Sequence, residues 1–319
     1  MRGGHPEWNG RILFICITHT LSYFGILSFV EQKVVGIYHK SCIDGTTAAA
    51  VLCRKFPETK TYSLSHDFGL DDITPILKTI TPDTKVFTLD CALGVQEILT
   101  QGSAVTTIDH HISVNERLNL LAKTNTKFTY VFDNEKSGAS LTWSYFFSDS
   151  PIPEVIRLVE DSDLWRWKFG DDTKYVNNYL STLVNKPEEI LPLLIDLPKS
   201  VKEQGAIISQ YAKILIDQFV SEAKPVTLFI GPYTVPAYNV TTFFKSEIGD
   251  SLSKISNSPV CLFTIIGERV RLSFRSQKGQ HPSPLELATI AGGGGHENAA
   301  GASIPIAVFL NMLHIGGSS

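Results

Sequence analysis

Six side chains in the first third of this 319-residue chain are of metal-ligand type: His39, Asp44, Asp90 and the consecutive Asp109, His110 and His111. Hydrolysing a phosphodiester at neutral pH needs an acidified water and a neutralised leaving oxygen. Two divalent ions roughly 3.5–4 Å apart, bridged by a carboxylate, supply both. Mixed carboxylate and imidazole donors suit Mn²⁺, two ions being expected, with Mg²⁺ or another divalent metal as the alternative. A strand-end aspartate taken singly is more often a helix cap or turn residue. The coincidence of such residues on successive strand ends is what points to a shared centre.

The elements that must position them are legible as alternating runs. VVGIYH (Val34–His39) has the β-branched and aromatic content of a buried strand, SCIDG is a turn, and TTAAAVLCRKF reads as a helix. KVFTLDCAL delivers Asp90 and is followed by the helix-like VQEILTQG, and SAVTTIDHH delivers Asp109. Three strands that each end on polar residues predict a parallel α/β sheet with a site outside its carboxyl edge. Ser137 to Trp167 reads as helical, with Trp143, Tyr145, Phe146 and Phe147 as core and Trp165 and Trp167 either packed under the site, the favoured role, or stacking a base. Val201 to Ala223 continues as a helix ending near Pro225. Beyond it, strand-like runs punctuated by Gly and Pro predict a smaller α/β domain. The expected organisation is an extension at 1–32, a catalytic domain at 33–200, a connecting helix at 201–224 and a substrate-binding domain at 225–319.

Composition narrows the partners. With 43% hydrophobic and 19% charged residues, both halves can bury a core. A net charge of −4 argues against a surface that grips long duplex through many phosphates, while leaving room for a short anionic substrate in a local pocket. Five cysteines (Cys16, Cys42, Cys53, Cys91, Cys261) form no C-x-x-C pair, which fits a reducing, cytoplasmic compartment. Residues 12–30 form an apolar run diluted by polar residues. A membrane anchor, a targeting segment and an upstream start codon are all left open for it.

The segment TIDHH (Thr107–His111) resembles the signature of DHH phosphoesterases, and AGGGGHENAAG (Ala291–Gly301) resembles the glycine loop of the DHHA1 domain that accompanies it. The resemblance implies a metal-dependent phosphoesterase of the nanoRNase, oligoribonuclease and RecJ-like superfamily, built as an N-terminal DHH and a C-terminal DHHA1 domain. It implies ligands at His39 and Asp44 from YHKSCIDGTTAA, at Asp90 as the bridging carboxylate and at His110, with Asp109 orienting and His111 facing the scissile phosphate. A last ligand is implied in VEDSDLWRW, where Asp161 is favoured over Asp163 for its distance from an aromatic. Gly293, Gly294 and Gly295 would let amides approach an anion, His296 would donate to it, and Arg275 would hold a terminal phosphate. The pattern departs at Cys42, where many family members carry an aspartate; ligation and simple packing are both open there. The implied substrate is a short RNA or DNA oligonucleotide or a small nucleotide such as an adenosine bisphosphate. Cleavage of a cyclic dinucleotide, RecJ-type exonuclease action and an idle nucleotide sensor are the alternatives, and a homodimer is left open.

Overall fold

The computed structural model describes residues 32–241 and 243–314. The extension, with the apolar run at 12–30 and the anchor or targeting role considered for it, lies outside the described residues. No helix among the described residues is long and apolar enough to cross a membrane.

The first half alternates strand and helix: β1 (Val34–His39), α1 (Ile43–Lys55), β2 (Lys60–Leu64), α2 (Leu70–Leu77), β3 (Lys85–Leu89), α3 (Val95–Thr100), β4 (Ala104–Asp109), α4 (Ile112–Thr124) and β5 (Phe128–Phe132). The strands pair in the order β2-β1-β3-β4-β5, and every pairing is parallel. Strands β1, β3 and β4, the three that the apolar runs predict, are the adjacent central ones. Their carboxyl ends therefore stand side by side. Helix α1 lies close against the sheet because its inner residues Ala48 to Leu52 are small or aliphatic and fully buried.

The predicted helical stretch from Ser137 to Trp167 is two helices, α5 (Gly138–Phe146) and α6 (Glu154–Asp163). Pro151 and Pro153 separate them, Pro153 standing as the N-cap of α6, since proline lacks an amide donor and is disfavoured in a helix interior. The chain leaves α6 at Asp163, and Trp165 and Trp167 follow with positive φ of 54° each. Trp143 is buried as expected of core, whereas Tyr145 is 45% exposed and edges against Phe146 and Phe87. Helices α7 (Asp171–Leu180) and α8 (Pro187–Ile190) complete this half, and the 24-residue α9 (Lys199–Glu222) leads out of it.

The second half holds β6 (Val226–Ile230), β7 (Tyr233–Asn239), α10 (Lys245–Ser256), β8 (Val260–Ile266), β9 (Arg269–Arg275), α11 (Pro284–Ile290), β10 (Gly294–His296), β11 (Ala299–Pro305), α12 (Ile306–Met312) and β12 (Leu313–His314). Its strands form a sheet in the order β10-β11-β9-β8-β7-β6-β12. All pairs are antiparallel except β7 with β8, which α10 connects. The molecule is thus α/β, with a parallel N-terminal sheet and a second sheet behind it in sequence.

Candidate metal centre

Asp90 stands at the centre of the cluster. It follows β3 in a left-handed backbone conformation (φ 55°) that an aspartate tolerates better than most residues. Its two oxygens face different ways. Oδ1 lies 3.1 Å from His110 Nε2, whereas Oδ2 lies 3.1 Å from Cys42 Sγ and 4.0 Å from His39 Nδ1. On the Oδ1 side, His110 Nε2 also approaches Asp163 Oδ2 at 3.5 Å and Asp44 Oδ2 at 4.0 Å. Among the described residues four overlapping groups offer one ligand atom per residue within 4.8 Å of one another: His39–Cys42–Asp90 and Asp44–His110–Asp163, the two donor sets on either side of Asp90, and also Asp90–Asp109–His111 and His110–His111–His296.

The electrostatics of this cluster are those of a site short of positive charge. Burial, reinforced by the neighbouring Asp90 and Asp163, pushes the Asp44 carboxyl well above its ordinary range. Burial opposes charging of His110, yet its bond to Asp90 and the charges of Asp163, Asp90 and Asp44 prevail and lift it to about 10. For Asp90 the balance reverses: against burial, the bond from His110 and the charges of His111, His110 and His39 hold it well below the carboxylate range. Crowded carboxylates and imidazoles, with His110 Nε2 facing Asp90, Asp163 and Asp44, fit divalent cations in chemistry and in reach.

Asp109 does different work. Its Oδ1 accepts from the backbone amides of His110 (2.8 Å) and His111 (3.2 Å) and lies 2.7 Å from His111 Nδ1. The triplet turn is thereby closed and the His111 ring fixed. Burial lowers the His111 pKa, but Asp109 more than offsets it and raises it to about 8. His296, at the end of β10, brings its ring centroid within 5.1 Å of both His110 and His111, so the second half contributes an imidazole to the same place.

Asp161 and Asp163 exchange the expected places. Asp161 is 2% exposed and faces away from the cluster, accepting from Thr173 Oγ1 (2.5 Å) and from the amides of Lys168 (2.9 Å) and Phe169 (3.2 Å). It ties the turn after α6 to α7, and Asp163 is the carboxylate beside His110. Arg275 also differs from expectation, because its guanidinium donates to the Phe274 carbonyl (2.8 Å) and to Ser246 Oγ (3.1 Å). The arginine that reaches the other half is Arg271, which pairs with Asp67 at 3.0 Å. The glycine loop is occupied by protein contacts: a Cβ on Gly293 would fall 2.0 Å from the Gly301 carbonyl, one on Gly294 2.8 Å from Ser113, and one on Gly295 2.6 Å from Ala300 Cα.

Three contributors escape the sequence reading. The amides of Gly138 (2.6 Å) and Ala139 (3.0 Å), at the start of α5, hold both oxygens of Asp44. His66, after β2, places its ring 4.5 Å from that of His39. Protonation of His39 is depressed by burial first, then by its neighbours His66 and His111, and last by the charge of Lys245, which opens α10. The signal for the first was present in SGAS, a serine cap followed by glycine.

Residues 245–314 match the model of the DHHA1 domain. An uncharacterized protein of Acanthamoeba polyphaga mimivirus is 25% identical over 307 residues, covering 85% of this chain and 67% of that protein. Among solved structures, RecJ from Thermus thermophilus, in complex with Mn²⁺, is 14% identical and superposes with a TM-score of 0.51, covering 88% of this chain and 51% of RecJ. The chain spans about half of RecJ. An exopolyphosphatase-related protein from Bacteroides fragilis is 13% identical with a TM-score of 0.48, covering 90% of this chain and 88% of that one. The chain therefore matches the DHHA1 domain at residues 245–314, joined to a parallel-sheet half, in a fold similar to that of RecJ.

Proposed function

We propose that this chain is a metal-dependent phosphoesterase that hydrolyses phosphate esters of short oligonucleotides or small nucleotides. The observation that carries the reading is Asp90, whose Oδ2 belongs with His39 and Cys42 while its Oδ1 lies 3.1 Å from His110 of the second donor set. A pair of divalent ions bound there would acidify a water and neutralise the leaving oxygen, and Mn²⁺ suits the Asp44–His110–Asp163 set. The ligand set proposed is His39, Asp44, Asp90, His110 and Asp163, with Cys42 beside Asp90.

The other residues divide the remaining work. Asp109 fixes the His111 ring through Nδ1 and keeps it protonated near neutral pH, so His111 can donate to a phosphoryl oxygen. His296 is held down to about 4, by burial first and then by its imidazole neighbours, and so offers a neutral ring at the same place. Lys245 contributes an amine from the second half, its protonation depressed by burial and then by the charges of Arg275 and Arg271, and Arg271 is already paired with Asp67. The Mn²⁺ of RecJ is in keeping with the expected metal.

The test is product release from RNA of a few nucleotides, from cyclic dinucleotides and from adenosine bisphosphate, each with Mn²⁺ and with EDTA. Turnover should require the metal and be lost in Asp90→Ala and His110→Ala. Near-native turnover by Asp90→Ala with unchanged metal content would refute the shared-carboxylate reading. Tight nucleotide binding with no turnover under any metal would instead identify a sensor.

A further inference from the structure

The two donor sets are chemically unlike. Asp44–His110–Asp163 offers only nitrogen and oxygen, whereas His39–Cys42–Asp90 offers a sulfur. Cys42 is the N-cap of α1 (φ −116°, ψ 132°), where its Sγ accepts from the Gly45 amide at 3.4 Å. Sulfur is a weak acceptor, and an aspartate or serine would cap the helix better. Capping therefore does not account for a cysteine here. Nor does packing alone, since the thiol is aimed at Asp90 Oδ2, 3.1 Å away, and not into the apolar core. Of the free cysteines among the described residues, Cys42, Cys53, Cys91 and Cys261, Cys42 alone belongs to a candidate metal group.

We infer that Cys42 is a thiolate ligand, so that the His39–Cys42–Asp90 half of the centre selects a borderline cation such as Zn²⁺ or Co²⁺, and the other half takes a harder ion. The inference rests on the metal-centre reading above and deepens it. Ligation replaces the thiol proton: the S–H bond breaks, a sulfur–metal bond forms, and the proton leaves to solvent, with no change of oxidation state. Softer donors raise affinity for the later transition ions relative to Mn²⁺ and Mg²⁺. The working protein would then hold two different metals, one tightly bound through sulfur and one exchangeable.

The experiment strips the full-length chain with a chelator, dialyses the chelator away and titrates Co²⁺ under anaerobic conditions with a phosphine reductant. Absorption follows the sulfur-to-cobalt charge-transfer band in the near ultraviolet. The band should saturate at one equivalent, and later cobalt should add only weak visible absorption. Cys42→Ser and Cys42→Asp should abolish it, and Cys42→Asp should still bind cobalt while shifting Co²⁺-over-Mn²⁺ preference by about tenfold or more toward Mn²⁺. Cobalt bound by equilibrium dialysis without the band, or a band that survives Cys42→Ser, overturns the inference and leaves the phosphoesterase reading to its own Mn²⁺ assay. Failure to bind any metal overturns both.

Discussion

Asp161 and Asp163 sit two residues apart at the end of α6 and have opposite duties. Residues at that spacing point to nearly opposite sides of a helix, so only one of them can face His110. Spacing to an aromatic in the sequence could not tell which, because the chain turns at Trp165 and Trp167 and the aromatics no longer mark the helix face. Asp161→Asn should cost stability, about 1–3 kcal/mol, because the Thr173 hydroxyl and two amides lose a charged acceptor. Burial works to raise its pKa, but those donors hold it below the ordinary 3.8. Its stabilisation is thus fully present above that value and is lost as pH falls through the depressed folded one. Metal affinity should be retained. Asp163→Asn should do the reverse, weakening metal binding without lowering the melting temperature of the metal-free protein. Calorimetric unfolding together with metal titration separates the two variants, and equal losses of affinity in both would undo the assignment.

At the scale of elements, the central strands were legible and the flanking ones were not. β1, β3 and β4 are buried apolar runs, whereas the edge strand β2 reads KTYSL and is only partly buried, so no apolar run marks it. The segment after β2 supplies His66, beside the His39 ring, and Asp67, the partner of Arg271. The start of α5 is the other hidden element. Its first amides grip Asp44 much as a helix N-terminus grips any anion, and the approach is so close that a Cβ at Gly138 would stand 2.7 Å from Asp90 Cβ and 2.9 Å from Asp44 Oδ2. Helix propensity alone says that Gly138→Ala should stabilise α5, by about 0.5–1 kcal/mol. The contacts say otherwise. We expect a lower melting temperature and a fall in turnover of about a hundredfold or more, because displacing either carboxylate misplaces the reacting groups. An alanine variant that melts higher and turns over normally would show that α5 does not set the position of Asp44 and Asp90.

For the whole molecule, the question is what brings His296 to His110 and His111. The sequence placed the glycine loop at the site but read it as a cradle for an anion; a missing Cβ serves a ligand and a close protein contact equally well, and residue type cannot distinguish them. At Gly294 the contact is with α4, since a Cβ there would lie 2.8 Å from both Cβ and Oγ of Ser113. The Arg271–Asp67 pair ties the same two halves elsewhere, but with Arg271 43% exposed it is screened by solvent and salt and contributes modestly. Steric fit at Gly294 is therefore the stronger determinant of approach. Gly294→Ala should separate the loop from α4 and raise KM several-fold while leaving metal affinity intact, because no ligand of the two donor sets is touched. Ser113→Gly removes the atoms that an alanine would strike, so the double variant Gly294→Ala with Ser113→Gly should recover most of the lost KM, a coupling that a double-mutant cycle measures directly. Recovery requires that the two positions meet in the folded protein. If the double variant is no better than Gly294→Ala alone, the glycine is serving its own hairpin or the substrate, and the two halves reach each other by some other contact.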